Sequence, residues 1–400
     1  MTPRERILAA LAHREPDRIP VDLGASESSG IHGIAYNNLK QHLGLNGGRT
    51  QIYDLSQMIA KVEPEVLDHV GADVLPLLIE PKRWQPWQLM DGSPGEVPAG
   101  ADLRRTPRGG LELWSGDTLV AVGPPDSYYL DTCDHPLEKA SSPADIEAGL
   151  AALRSFDWPA CNDETYEDLR AKAQALRAGS DRAIVGNLWV HVFAAGQILR
   201  GFENFMMDLL ADKRLAHALM GRLVDCYAER VEQYVAAVGE FCDIIQVNDD
   251  LGTQNGLQVS LATYREMVKP YHARLWQQIK DLSGKPLLLH SCGSIYDVIP
   301  DLIEMGVDAI NPVQVAAANM DSAKLKAEFG RDLTFWGGGC DTQTVLERGT
   351  PAEVAAEVRR RCADLAPGGG FVFCQVHNIQ PTVTPANVMA MYEAVKEVGG

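Results

Sequence analysis

Eight short apolar runs, separated by segments of helical character, recur along this 400-residue chain almost from one end to the other. They are Arg18–Leu23, Ala72–Ile79, Ala183–Trp189, Asp243–Val247, Pro286–His290, Val307–Asn311, Leu333–Gly337 and Phe371–Val376. Each is rich in Val, Ile, Leu or Phe and bounded by Gly, Pro or Asp, as a strand buried on both faces of a parallel sheet requires. Amphipathic segments such as Thr263–Lys280 and Pro351–Leu365 lie between them, the latter with a proline suited to a first helical turn. Strands alternating with helices in this number predict an α/β chain folded as a closed (β/α)8 TIM-type barrel. No Gly-x-Gly-x-x-Gly element opens a helix after the first run, which counts against an open dinucleotide-binding sheet.

The whole chain, residues 1–400, is expected to form a single barrel domain, since such barrels routinely exceed 250 residues as one unit. One stretch breaks the rhythm. Residues 81–135 are rich in Gly, Pro and Trp, and Leu111–Val120 alternates as a hairpin does. This is an inserted antiparallel β-ribbon after the second strand. Its place predicts a position over the carboxyl ends of the strands, as a lid or as a contact for another subunit.

Composition narrows the partners. With 36 Lys and Arg against 54 Asp and Glu, the formal charge is −18, which disfavours nucleic acid and anionic lipid surfaces. No run reaches the ~18 apolar residues of a membrane span, and Met1–Leu8 lacks the apolar core of a secretory leader. A cytoplasmic protein is expected, with its eight cysteines reduced and no Cys-x-x-Cys pair for a zinc ribbon or a thioredoxin-type site. The sequence neither requires nor forbids a homodimer.

In a barrel the chemistry sits at the carboxyl ends of the strands. His290 and Cys292 are two apart at one such end, and in extended chain residues i and i+2 share a face, so an imidazole and a thiolate can meet one cation. Cys374, His377 and Cys340 come from the last two strand ends, and a mixed nitrogen and sulfur set suits zinc. The same residues could instead be a packed thiol and a hydrogen-bonded ring. Asp249 and Asp250 are paired carboxylates, able to share a proton, bind a cation or orient a substrate, or else to serve as a helix cap and a solvated acid. Ser26, Trp189, His191, Gln254, Asn311, Gln314 and Asp341 stand at other strand ends as candidates to bind a small substrate.

These segments resemble a known family. Arg4–Leu11, Pro16–Val21, Asp249–Gly256, Leu289–Ser294, Gly337–Gln343 and His377–Val388 are similar to the uroporphyrinogen decarboxylase superfamily, a likeness that spans nearly all of the chain except the ribbon. The resemblance implies a (β/α)8 barrel and one of two chemistries. One is metal-free decarboxylation of a uroporphyrinogen or another carboxylic acid. The other is zinc-dependent methyl transfer involving a small methylated substrate, a corrinoid protein or a thiol acceptor.

The decarboxylases carry an Arg-rich segment that grips substrate carboxylates, whereas Gly24–Gly30 contains no Arg and offers Glu27. The methyltransferases carry a His-x-Cys pair of zinc ligands, which His290 and Cys292 match. Their third ligand is a Cys in a Gly-Cys-Gly element, where this chain has His377 with Cys374 three positions earlier. Related enzymes place a Glu where this chain has Asn311. The resemblance therefore implies a zinc methyltransferase with His290, Cys292, Cys374 and His377 as metal candidates and Asp249 and Asp250 as catalytic ones. No Asp-x-His-x-x-Gly corrinoid-binding element is present, so any corrinoid would be carried by a separate protein.

Overall fold

The structure is a computed structural model and describes residues 1–45, 47–125, 127–149 and 163–398. Seven strands, Val74–Leu77, Ala183–Asn187, Ile244–Asn248, Leu287–His290, Ala309–Asn311, Thr334–Trp336 and Phe371–Val372, pair in parallel, each with its neighbour in sequence. The chain between them forms helices that pack on the outer face, the longest being Lys213–Val238. This is the predicted α/β TIM-type barrel.

The eighth position differs from expectation. The run at residues 18–23 forms no regular strand but a single bridge, Val21 to Phe373. It still joins the two edges of the sheet. Asp22 N–H donates to the Phe373 carbonyl, Phe373 N–H to that of Pro20, and Asp73 N–H to that of Val21, each at 2.8 Å. Two features cut the ladder short. Pro20 has no N–H, and the Val21 N–H is taken by the Asp73 carboxylate at 2.9 Å rather than by a backbone carbonyl. Asp73 is fully buried and is clasped by Arg6 and Arg18 at 2.6 and 2.7 Å.

Strand periodicity divides the lumen into layers. Val74, Val185, Ile244, Leu288, Ala309, Trp336, Val372 and Cys374 form one buried apolar cluster with Ile7 and Ala10 of the helix Pro3–Leu11. That helix closes the amino-terminal end: Arg4 N–H meets the Asp181 carbonyl and Gly370 N–H meets that of Ala10. Each fully buried Val, Ile or Leu here contributes roughly 1.5–3 kcal/mol. Two residues further along four of the strands, on the same face, the character becomes polar, with Asn187, Gln246, His290 and Asn311, and Asn248 follows two residues after Gln246. Register aligns Asn248 with His290 and His290 with Asn311 across three strands.

Residues 81–135 form two antiparallel units rather than one ribbon: a hairpin of Trp84–Gln88 with Pro94–Pro98, and a four-stranded sheet of Asp102–Arg105, Leu111–Ser115, Thr118–Gly123 and Asp131–Thr132. The alternation at Leu111–Leu113 buries both leucines. A further small sheet, Ile31–His32, Ile52–Asp54 and Ile59–Ala60, was not evident in the sequence. The insert returns to the barrel mouth, where Leu130 N–H donates to the Ser56 carbonyl at 2.7 Å and the Tyr129 hydroxyl lies 3.4 Å from Asn378 Oδ1. The seven described cysteines are free, and Cys161 lies outside the described residues. Among the described residues no helix is long and apolar enough to cross a membrane.

Candidate metal centre and substrate cavity

His290 ends its strand with the imidazole at the mouth of the lumen. Its Nδ1 lies 2.8 Å from Asn311 Oδ1, while Asn311 Nδ2 donates to the Trp336 carbonyl at 3.0 Å. With the amide thus oriented, Oδ1 accepts and Nδ1 must carry the proton. The lone pair of Nε2 then faces Cys292 Sγ at 3.5 Å and Asp250 Oδ1 at 3.6 Å. Donor atoms of Asp250, His290 and Cys292 all lie within 4.8 Å of one another, a group able to hold a metal ion.

Two loops set this geometry. Cys292 N–H donates to Asp250 Oδ1 at 2.8 Å, Leu251 N–H donates to Ser291 Oγ at 3.0 Å, and Gly293 N–H donates to Gln314 Oε1 at 2.7 Å. The loops meet backbone to backbone. A Cβ on Gly293, whose φ is +87°, would stand 2.5 Å from the Gly252 carbonyl carbon, and one on Gly252 would stand 2.6 Å from the Cys292 oxygen. Only glycine allows that approach at these two positions.

Asp249 and Asp250 have separate surroundings. Asp249 is buried, and its Oδ2 accepts from Val192 N–H, Phe193 N–H and His272 Nε2 at 2.7, 2.8 and 2.8 Å, while Oδ1 accepts from Ala194 N–H at 2.7 Å. It anchors the start of the helix Phe193–Arg200, and those donors occupy both oxygens. Asp250 is half-exposed and faces the site.

A cavity of about 250 Å³ opens beside the metal group. It is lined by Asn248, Asp249, Asp250, His290 and His377, by Trp189, His191, Ala194 and Ile198, and by Glu27, Ser28, Asp54, Ser56 and Gln57. Among the described residues that line it there is no Lys or Arg; Arg230 lies behind the wall and donates to the Trp189 carbonyl at 3.1 Å. Burial, then the neighbouring His290, pulls His377 down to about 4, so its imidazole is neutral. Burial, then the Asp54 carboxylate, pushes Glu27 up to about 7. Burial and the adjacent Asp250 hold the Cys292 thiol well above its ordinary range.

The remaining sequence candidates are placed as follows. Cys374 is not in the three-donor group. It packs in the apolar layer below, with its Sγ 3.8 Å from Asn311 Nδ2. His377 shares the cavity but is likewise outside the group. Cys340 is buried, its Sγ 3.9 Å from the Asp341 carbonyl. Gln254 Oε1 accepts from Gln314 Nε2 at 2.9 Å, which ties two rim loops together. Asp341 accepts from Gln343 N–H at 3.0 Å and from the Thr344 hydroxyl, and Ser26 is held in a turn by Ser29. Asn311 supports His290 from outside the cavity. Ser28, Asp54, Ser56, Gln57 and Asn248 line the cavity without having been singled out in the sequence, because the small sheet that brings residues 54–57 to the mouth has strands of only two or three residues.

The family model for uroporphyrinogen decarboxylase (URO-D) matches residues 162–398, more than half of the chain. The chain belongs to the uroporphyrinogen decarboxylase family. The matched region contains Trp189, His191, Asp249, Asp250, His290, Cys292 and His377, whereas Glu27, Asp54 and the insert precede it. Uroporphyrinogen decarboxylases of Chlorobaculum tepidum and Chlorobium phaeobacteroides are 28% identical over 189 residues and 31% identical over 192 residues, in each case covering 46% of this chain and 50% of the relative. The chain thus spans about half the length of these curated relatives. A methyltransferase from Methanosarcina mazei has the same fold, with a TM-score of 0.59 and 19% identity over 99% of both chains.

The three donors fit zinc: an imidazole nitrogen, a cysteine sulfur and a carboxylate oxygen are its usual ligands, and three protein ligands with one open position is the pattern of a catalytic site. The Cys292 thiol, which burial beside a carboxylate keeps protonated, is a group that a bound cation would turn into a thiolate.

Proposed function

We propose that this member of the family is a methyltransferase that moves a methyl group between a small methylated substrate and either a corrinoid protein or a thiol acceptor, using a zinc ion held by Asp250, His290 and Cys292. The observation that carries the reading is the convergence of these three donors beside a cavity that Asp250 and His290 help to line. When bound, zinc supplies Lewis acidity, lowering the pKa of a thiol, phenol or water and stabilising the charge that develops on it. The protein's own residues prepare that position. Asn311 accepts the Nδ1 proton of His290 and leaves Nε2 free to ligate. Asp250 accepts the Cys292 N–H and so fixes the cysteine beside the histidine. We assign Asp249 a positioning role, because its oxygens are committed to the backbone and to His272. Trp189, His191 and His377 would contact the substrate.

A corrinoid, in this scheme, arrives on a separate protein that docks at the barrel mouth. Metal analysis of the purified protein, followed by methylcobalamin turnover with and without a thiol, tests the proposal. Zinc and metal-dependent demethylation of the cofactor are expected; protein that neither contains zinc nor takes it up on reconstitution would overturn it.

Decarboxylation is the second reading, and the names of the curated relatives favour it. The cavity weighs against a polycarboxylate substrate, since a described lining that holds Glu27, Asp54 and Asp250 without Lys or Arg repels carboxylates rather than pairing with them. Its volume of about 250 Å³ is below the ~300–1,000 Å³ of pockets for drug-sized ligands. Release of carbon dioxide by metal-free protein would favour this second reading.

A further inference from the structure

Part of the cavity lining carries buried acceptor atoms that the neighbouring side chains leave unsatisfied. Glu27, Ser28 and Asp54 are 5%, 3% and 2% exposed, and all three line the cavity. Asp54 Oδ1 is consumed by its own turn, accepting from Ser56 N–H at 2.7 Å and Gln57 N–H at 3.2 Å, whereas Oδ2 has no hydrogen-bond partner. Asn248 hydrogen-bonds the Glu27 carboxyl, yet Glu27 Oε1 is unpartnered, and so is Ser28 Oγ. Buried polar atoms left in this state are rare in folded proteins and cost about 1–3 kcal/mol each. Three of them in the lining of one cavity therefore mark a place where something donates.

We infer that the substrate carries an N–H-bearing ammonium group, which seats against Glu27, Asp54 and Ser28. The inference rests on this cavity being the substrate site of the reading above. Three arguments select the ligand. An ammonium group offers up to three donors, enough for Glu27 Oε1, Asp54 Oδ2 and Ser28 Oγ together, whereas a hydroxyl offers one. A cation also relieves the mutual repulsion of two adjacent buried carboxyls, which a neutral donor leaves in place. And the described lining contains no Lys or Arg to do so from the protein side. Trp189 and His191 also line the cavity, their rings 6.4 Å apart, where they can take the apolar part of the molecule. The raised pKa of Glu27 agrees with a carboxyl that awaits a cation.

Calorimetric titration with small probes tests the assignment. The probes are n-propylammonium, tetramethylammonium, n-propanol and propionate, added to the purified protein and to its Glu27→Gln and Asp54→Asn variants. Both substitutions keep side-chain shape, and the Asp54→Asn amide retains an oxygen to accept from the turn. We expect n-propylammonium to bind wild type at least tenfold more tightly than the other three probes, and at least tenfold more weakly to Glu27→Gln. If Asp54→Asn is misfolded by circular dichroism, Glu27→Gln alone decides. Propanol or propionate binding as well as the amine, unaltered amine affinity in Glu27→Gln, or no amine binding at all would each overturn the inference. Zinc content measured on the same samples separates the two proposals. Amine selectivity without zinc removes the methyltransferase reading and leaves the ammonium site, whereas zinc without selectivity does the reverse.

Discussion

His290 Nδ1 lies 2.8 Å from Asn311 Oδ1, and this one hydrogen bond determines which nitrogen of the ring faces the candidate metal group. Asn311 can hold the ring because its own amide is fixed by the Trp336 carbonyl on the next strand. Asn311 thus works one hydrogen bond away from the candidate metal group. Asn311→Ala should lower zinc affinity by roughly 10–100-fold, the usual effect of removing a partner that orients a ligating histidine. Asn311→Asp should retain most of the affinity, since a carboxylate also accepts the Nδ1 proton. Competition against a chromogenic chelator measures both, and equal affinity in wild type and Asn311→Ala would show that the ring needs no such support.

Cys292 and Cys374 should respond in opposite ways to removal of sulfur. Cys292→Ala deletes one donor of the three and should abolish metal retention while leaving the melting temperature close to that of the metal-free wild type. Cys374→Ala opens a small cavity in the apolar layer of the lumen, costing about 1 kcal/mol, and should leave metal content near normal. Zinc analysis and thermal melting of the two variants side by side decide the assignment. Loss of zinc from Cys374→Ala would restore that thiol as a ligand.

Much of the barrel was legible because buried parallel strands leave a strong mark. Seven of the eight apolar runs are strands, and the eighth falls short for a local reason, a proline and an aspartate side chain at its pairing edge. His290 and Cys292 were visible as a spaced pair at a strand end. What the sequence could not show was depth. Asp249 and Asp250 are adjacent in the chain and both line the cavity, yet the carboxylate of one is saturated by backbone N–H groups and His272 while that of the other faces His290, a distinction that depends on where the helix Phe193–Arg200 starts. Cys374 and His377 likewise look equivalent in the sequence, but strand periodicity puts Cys374 one layer lower. Asp54 lies in a strand too short to leave any pattern, so its approach to Glu27 was invisible.

Asp249→Ala should be among the most destabilising changes near the site. It leaves the N–H groups of Val192, Phe193 and Ala194 and the buried His272 ring without their acceptor. Stranding several buried donors at once costs about 3–5 kcal/mol, as for a broken buried pair. Asp249→Asn, which keeps one acceptor oxygen, should cost less. Urea denaturation of both variants checks this. A penalty under ~1 kcal/mol for Asp249→Ala would mean that water or a rearranged loop replaces the carboxylate.

Acid should loosen the fold partly through His32, at the start of the helix Gly33–His42. Its Nδ1 accepts the Ile34 N–H at 3.1 Å, so the neutral ring caps the helix, and Nε2 is buried without a partner. Burial carries the ring from its ordinary 6.5 down to about 4. The sign follows from comparing the two states. Between those values the unfolded chain has bound a proton at this position and the folded chain has not, so stability is present in full above 6.5 and is lost as pH falls through 4. A shift of this size amounts to about 3 kcal/mol across the window. His377, also drawn down to about 4, adds a loss of the same sign. Asp22 and Glu27, raised to about 6 and 7, act in the opposite direction, so the useful quantity is the difference between variant and wild type at each pH. His32→Asn keeps an N-cap acceptor and removes the titration. Near pH 7 it should change stability by less than ~1 kcal/mol, and by pH 4.5 it should be more stable than wild type by about 2 kcal/mol. Urea midpoints at four pH values between 7 and 4.5 give the slope directly. Parallel curves for the two proteins would show that His32 takes up its proton in the folded state as readily as in the unfolded one.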